Sequence, residues 1–558
     1  MRDRRNTILS ASSTASSDPP ASPPSIRVIP DDKKLFSSPP PSPLLPAPVT
    51  SDRRIKASLR RSMAVKGLIV ACGMVGLYVY VLQGLMYPVP SATANFGKSI
   101  DIVAGNPLPG EPTALVVVDS AARSQWTVWI PHNQTFPLSS QIYADMCKQG
   151  NQLKSSIETS TLSSGKQPWW RKQGYYAKDR TFLDITDAER TGVLPKSRSM
   201  ENVCETSLTF VLGAEDASFG KSLLLLWMSY GLAKKEGRAF FYDDSHWAWG
   251  KYISYFAPPP SPKCVRPPTH HIVPCPHTAR HIVVSTATAP FTFGETFDRE
   301  FRDARKHGLA SQSRIFDLIR SGYNDLFVLT GEDALYAQSR VAKLKDEAGT
   351  SRMLAAQIRR GDNHPSEFQY QYSYLPLERY LDGARLLSSK LSPGALSGSK
   401  TQLLVASDDP NILTSPELQQ ADSESFTIHR AQERIQLATK DVLDQSSPVQ
   451  SLRKSGSAYV KHVEENSGWE GGFYSALFYS LGGASENNVP EQAMLLRRLV
   501  GRAYVLDLAV LGESDGVVCA SSSAGCRLLA VAMGWDAVKA GRWMNVDDGR
   551  VWTWNGQR

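Results

Sequence analysis

Residues 208–213 read LTFVLG, residues 221–237 read KSLLLLWMSYGLAKKEG and residues 238–244 read RAFFYDD. A short apolar run, a longer apolar run ending in a basic turn and a glycine, and a second short aromatic run spell strand, helix, strand. Further along, MLAAQIRRGD (353–362), TQLLVASDDP (401–410), AYVLDLAV (503–510) and GVVCASSSAG (516–525) are again short and apolar, with helix-like stretches between several of them. Such alternation predicts an α/β fold with a parallel sheet covered on both faces. Ligands of these sheets sit at the carboxyl ends of the strands, so the polar residues that directly follow each apolar run are the candidates for chemistry.

The remaining composition bounds what surrounds this body. The chain has 558 residues, 41% of them hydrophobic, enough for two or three domains with sizeable cores. Its net charge of +8 invites a nucleic-acid reading, but residues 1–66 carry 12 Lys/Arg against 5 Asp/Glu, and the rest is nearly neutral. The excess belongs to a Ser/Pro-rich stretch expected to be a disordered tail, and bulk charge gives the folded body no support for nucleic-acid binding.

After the tail, residues 67–87 (GLIVACGMVGLYVYVLQGLMY) run 21 positions without a charge up to Pro88. A helix of that length reaches across a bilayer core of roughly 30 Å. Arg53, Arg54, Lys56, Arg60, Arg61 and Lys66 precede the span and only Lys98 follows closely, so the positive-inside rule predicts a type II signal anchor with a cytosolic N-terminus. Cys72 lies in the span; Cys147, Cys204, Cys264, Cys275, Cys519 and Cys526 remain, an even number that suits up to three disulfides in an oxidising compartment, the pairing left open. Asn133 begins a glycosylation sequon, Asn133-Gln134-Thr135. His270, His271, Cys275 and His277 have metal-binding side chains but no paired Cys-x-x-Cys, so a disulfide loop is the expected reading and zinc is set aside. Residues 88–200 are expected to be a stem merging into a small helical layer.

Three strand ends carry the candidates. In Gln357-Ile358-Arg359-Arg360-Gly361-Asp362, followed by Glu367, two adjacent arginines close an apolar strand, where a guanidinium is costly unless it meets an anion such as a diphosphate. The embedded Arg-Gly-Asp tripeptide closes a predicted buried strand, which disfavours an adhesion role. Asp408 and Asp409 follow LLVAS; they could contact a ligand or cap the next helix. The third site combines Asp507, read as part of a strand, with residues 519–527, CASSSAGCR, a small-residue turn that can present N–H groups and hydroxyls to a phosphate.

Taken in order, these segments resemble the alpha-1,6-fucosyltransferase family, which uses H-x-R-R-x-D, A-T-D-D-P and L-D-x-x-x-L…A-D-x-x-V-C-x-x-S-S-x-x-C-R. Asp507, Leu511, Asp515, Val518, Cys519, Ser522, Ser523, Cys526 and Arg527 fall in register with the last block without a gap. Residues 218–256 resemble the family's Gly-Tyr-Gly helix and the strand after it, and the resemblance spans roughly 200–535. It implies a GT-B-like fold: an open α/β domain over 201–350 and a Rossmann-like nucleotide-sugar-binding domain over 351–558, beyond the tail (1–66), anchor (67–87) and stem (88–200). It also implies inverting, metal-independent transfer of fucose from GDP-fucose to a glycan or glycoprotein acceptor, with no cofactor, in the Golgi lumen.

Carried over by position, Arg359 and Arg360 would neutralise the pyrophosphate, Asp507 would contact guanine, and Asp408 or Asp409 would support the nucleotide. Ser522 and Ser523 would face a phosphate, Gln357 and Asp362 would complete the donor site, Glu367 would be the general base, and Tyr380 would stand on the acceptor side. Cys204 with Cys264 and Cys519 with Cys526 are the implied disulfides. The chain departs from the pattern at Gln357, where the family has His, at Asn363, where it has Lys, and in about four extra residues before Tyr380. No SH3-like domain or coiled-coil stem of the animal members is expected, and acceptor and oligomeric state are not carried over. The alternatives are a transferase of another GDP-sugar or to a chitooligosaccharide or protein hydroxyl, and a membrane-anchored pseudoenzyme.

Overall fold

The computed structural model describes residues 101–102, 107–118, 123–161, 174–197, 200–213, 218–360, 362–363, 375–393, 400–437, 460–461, 489–547, 549 and 551–556. The tail, the apolar span 67–87 and Glu367 lie outside the described residues. Among the described residues no helix is long and apolar enough to cross a membrane.

The first described layer is a β–α unit rather than the helical layer expected for 88–200. Strands β1 (Asp101–Ile102), β2 (Thr113–Val118) and β3 (Ser124–Trp129) form a sheet in that order, with β1 parallel and β3 antiparallel to β2. TALVVV and SQWTVW are β-branched and aromatic, which favours a half-buried pleated surface over a helix. Helix α1 (Ser140–Thr161) packs on β2 and β3, Gly150 lying against the buried Trp126 ring, and α2 (Ile185–Arg190) follows, capped by Asp184 accepting from the Thr186 N–H.

The next unit matches the strand–helix–strand reading. Strands β4 (Ser207–Val211), β5 (Ala239–Asp243) and β6 (His281–Val284) form a parallel sheet in the order β5-β4-β6. The crossover helix α3 (Phe219–Glu236) starts at Ser218, whose hydroxyl accepts from the Lys221 N–H, and ends at Gly237 with φ +68°. Its residues 222–233 are buried all round, as a helix apolar on every face must be. It crosses α4 (Ser313–Leu326) at backbone distance: a Cβ at Gly231 would lie 2.0 Å from the Leu318 carbonyl oxygen, and one at Gly322 would lie 2.2 Å from that of Trp227.

After helix α5 (Gly331–Ala348) comes the larger sheet, built from β7 (Met353–Ile358), β9 (Thr401–Ser407), β10 (Phe426–Arg430), β12 (Gly516–Cys519) and β13 (Trp543–Asn545). Its spatial order is β10-β9-β7-β12-β13 and every pairing is parallel. In chain order this is the 3-2-1-4-5 arrangement of a nucleotide-binding α/β sheet, with its topological switch point between β7 and β12. The two-residue strand β8 (Asp362–Asn363) pairs instead with β11 (Val460–Lys461). Helix α6 (Leu377–Leu391) covers one face through Leu377, Tyr380, Leu381, Ala384 and Leu387.

The segment read as the strand AYVLDLAV is the last part of a helix, α7 (Glu491–Leu511). Short apolar runs do not distinguish strand from buried helix by periodicity alone, and here the run continues an uninterrupted helical stretch that ends at Gly512. Helix α8 (Ala524–Met533) follows β12 and packs on α3 and α4, so the second unit's chain is built into the first unit's core. Trp552 finishes this return, fully buried against Phe316 with its Nε1 donating to the Arg527 carbonyl at 3.1 Å.

All six cysteines outside the apolar span pair: Cys204–Cys264 and Cys519–Cys526, as the resemblance implied, and Cys147–Cys275, whose partners had been left open. Exposed Asn133 lies in the loop after β3.

Candidate active site

Sheet register brings the strand ends together. Gln357 is opposite Ala406 of β9 on one side and opposite Cys519 of β12 on the other, so the residues just beyond this row share one edge of the sheet. Above it opens a cleft at the carboxyl edge of the sheet. Gln357, Arg359, Asp408, Asp507 and Ser523 line it together with Ser407 and Tyr504. Five of the sequence candidates therefore converge from three strands and one helix, at the switch point where such sheets bind nucleotides.

Each group is held by local chemistry. The Arg359 side chain is nine-tenths buried, and its Nη1 stands 3.7 Å from Asp408 Oδ2. Asp408 Oδ1 accepts the Arg360 backbone N–H at 2.5 Å, so the carboxylate ties the end of β7 to the end of β9 and partly balances the guanidinium. Its neighbour Asp409 has the plainer role: it accepts the Asn411 N–H at 2.9 Å and shapes the turn into a short 3₁₀ helix, away from the lining of the cleft. Gln357 Oε1 is buried without a hydrogen-bond partner among the described residues, an acceptor that a ligand N–H or O–H would satisfy.

Asp507 reaches the cleft from α7, a helix fixed to α5 by the bidentate pair of Arg502 with Asp333, at 2.7 and 2.9 Å. Protein atoms crowd its carboxyl on every side but the cleft, and this desolvation pushes its pKa up to about 8 against a hydrogen bond from the Gln432 backbone and the charge of Arg430. The unliganded site therefore holds a neutral carboxylic acid at pH 7.

Ser523, also in the lining, occupies the N-cap position of α8 without a side-chain capping hydrogen bond, and a helix N-terminus carries N–H groups that suit an anion. The turn before it is held from several sides. Cys519–Cys526 closes it, Arg527 Nη1 donates to the carbonyls of Ser521 and Ser522 at 3.1 and 3.2 Å, and the Ser521 N–H donates to Asn545 Oδ1 at 2.8 Å.

Other candidates lie elsewhere. Ser522 anchors the turn through its carbonyl and does not line the cleft, and Arg360 is likewise absent from its lining. Tyr380, expected on the acceptor side, is 2% exposed and packs in the core beneath the sheet with Leu377, Leu381 and Ile358, because its position falls on the apolar stripe of α6. Only the backbone pairing of Asp362 and Asn363 is described.

The cleft also has an apolar wall that strand-end reasoning missed. Val500, Ala503, Tyr504, Leu508 and Leu511 come from α7 at three- and four-residue spacing around Asp507, the helical period that would have revealed them. Gly525 sits under this wall because a Cβ there would lie 3.0 Å from Tyr504 Oη and 3.3 Å from the Gln357 amide.

No protein-family model and no curated protein matches this chain. Among solved structures it is similar to NodZ alpha-1,6-fucosyltransferase soaked with GDP-fucose, at 12% identity over 59% of this chain and 93% of that one, with a TM-score of 0.27. The fucosyltransferase NodZ from Bradyrhizobium matches at 12% identity over 58% and 93%, with a TM-score of 0.24. A mutant of Arabidopsis thaliana FUT1 in complex with GDP matches at 10% identity over 62% and 72%, with a TM-score of 0.31. The solved structures to which this chain is similar thus include alpha-1,6-fucosyltransferases.

Proposed function

We propose that this protein is an inverting glycosyltransferase that transfers fucose from GDP-fucose to a glycan hydroxyl without a metal ion. The observation that carries the reading is the convergence of Gln357, Arg359, Asp408, Asp507 and Ser523 on one cleft at the switch point of a parallel sheet, whose lining includes both a buried guanidinium and the N-cap residue of a helix. Those two features suit a diphosphate, and a carboxyl with the apolar wall of α7 suits a purine base whose N–H groups donate. The choice of guanine and fucose comes from the motif resemblance.

In this mechanism the acceptor hydroxyl loses its proton to a carboxylate base as its oxygen attacks the anomeric carbon. The bond from that carbon to the β-phosphate oxygen breaks, and its electron pair leaves on GDP. Charge grows on the diphosphate as the sugar becomes oxocarbenium-like, and Arg359 with the α8 N-terminus stabilises it where a metal ion would otherwise serve. Glu367 is assigned as the base from its motif position, outside the described residues.

Three disulfides suit an oxidising compartment, and together with the sequence of residues 67–87 they support a type II anchor with the catalytic body in the Golgi lumen. The test is calorimetric titration of the full chain with GDP and GDP-fucose, with and without added Mg²⁺ or Mn²⁺, beside turnover on a glycan array. The reading requires GDP binding that added metal does not change, and Glu367→Gln must retain binding while losing transfer. Gln357 and Asn363 favour the pseudoenzyme as the second reading, which donor binding without turnover on any acceptor would select.

A further inference from the structure

Outside the cleft, one cluster of side chains has no role in the proposed reaction. His132 lies in the loop after β3, Glu189 in the last turn of α2, and His270 and His271 on a single 3₁₀ turn, Thr269–His271, that precedes β6. One donor atom each from His132, Glu189 and His270 lies within 4.8 Å of the other two. His270 Nε2 and His271 Nε2 stand 3.3 and 3.0 Å from the same oxygen, Glu189 Oε1. Both nitrogens are buried beside that carboxylate oxygen, and His270 is 8% exposed. The other carboxylate oxygen, Oε2, accepts from the Ser197 hydroxyl at 3.0 Å, which holds the carboxylate in place, and the His132 ring lies 4.3 Å from the His270 ring.

The spacing suits a metal. Two ligands each about 2.1 Å from a tetrahedral zinc ion are about 3.4 Å apart, close to the 3.3 Å between His270 Nε2 and Glu189 Oε1. Histidine metal sites are often set by short local spacing, which the run from His270 to His277 offers. The fold removes two of those residues from consideration. Cys275 is bonded to Cys147, and His277 stacks on Tyr175 with Nε2 2.6 Å from that residue's carbonyl oxygen. In their place it brings His132 and Glu189, more than 50 residues apart in sequence and invisible as a motif.

We propose that His132, Glu189 and His270, with His271 adjoining, form a structural zinc site that clamps the N-terminal β–α layer to the first α/β unit. The Cys147–Cys275 disulfide joins the same two parts from α1 to the loop before β6, so ion and disulfide would act as paired cross-links.

The test uses the untagged full chain, stripped of metal by a chelator and titrated with Zn²⁺ against a chromophoric competitor, with elemental analysis after gel filtration. One zinc per chain is expected, with Co²⁺ in its place giving the visible absorption of tetrahedral N/O coordination. His132→Ala, at an exposed position that spares the core, and Glu189→Gln, which keeps shape, are each expected to weaken binding at least about 100-fold, more than loss of an outer-shell partner does. A melting transition like the metal-free wild type shows that the variants fold. Less than half an equivalent of zinc in the wild type, or undiminished affinity in either folded variant, overturns the assignment.

Discussion

Asp507 offers the sharpest test of the cleft, because the same carboxyl must be neutral when the site is empty and charged when it holds a guanine. With its pKa pushed up to about 8 from an ordinary 3.8, the empty site binds a proton at pH 7 in roughly ten molecules of every eleven. A guanine donates through N–H groups and favours the carboxylate, so binding must expel that proton. The apparent dissociation constant for GDP then scales as 1 + 10^(8 − pH), which makes binding about tenfold tighter at pH 9 than at pH 7. At pH 7 about 0.9 proton leaves per GDP bound. Calorimetry in two buffers of different ionisation enthalpy reads the proton directly. The nucleotide's own phosphate titrates nearer pH 6, and Asp507→Asn, measured in parallel, removes that background. The variant should bind more weakly at pH 9 and lose the pH dependence between 7 and 9. A wild type that releases no proton and binds equally at both pH values refutes the assignment of Asp507 to the base.

The same residue makes a stability prediction of opposite sign. Below pH 3.8 the folded and unfolded chains both carry the proton, and between 3.8 and 8 only the folded chain keeps it, so Asp507 lowers stability as pH rises through that window. The cost grows to at most roughly 4 kcal/mol at pH 7, so Asp507→Asn should melt several degrees higher than wild type at pH 8 and alike at pH 4. Arg359→Ala should cost GDP at least about 100-fold in affinity by calorimetry, since it leaves the diphosphate and Asp408 facing one another without the guanidinium. Replacing Cys519 and Cys526 together by alanine opens a loop with seven residues of separation, worth about 2.5 kcal/mol of chain entropy, and should lower both urea midpoint and GDP affinity because Ser523 sits within that loop. Gly231→Ala should cost about 3 kcal/mol in urea unfolding, because its Cβ would meet the rigid backbone of α4 rather than a movable side chain.

How much of this was legible beforehand follows from where each signal resides. Apolar runs that stop at polar residues are local facts. From them the sequence alone yields the α/β class, the strand–helix–strand unit at 208–244 and the candidates Gln357, Arg359, Asp408 and Ser523. An even set of cysteines and a charge excess confined to residues 1–66 are local in the same sense. Local patterns also misled where one pattern serves two structures: the apolar run around Asp507 is helix, residues 88–200 hold a sheet, and Tyr380 belongs to the core.

What only the tertiary structure decided is adjacency. Strands β7 and β12 become neighbours because the chain winds outward in both directions from β7, and nothing in either strand's own residues records that. That winding aims Asp507 and the apolar wall of α7 into a cleft whose other residues stand at strand ends, and assigns the nearer carboxylate, Asp408, to the arginine while Asp409 turns away to shape a turn. It also gathers His132, Glu189 and His270 from three separate segments. Side-chain periodicity tells each segment which face to bury; packing alone decides which buried faces meet, and a binding site consists of such meetings.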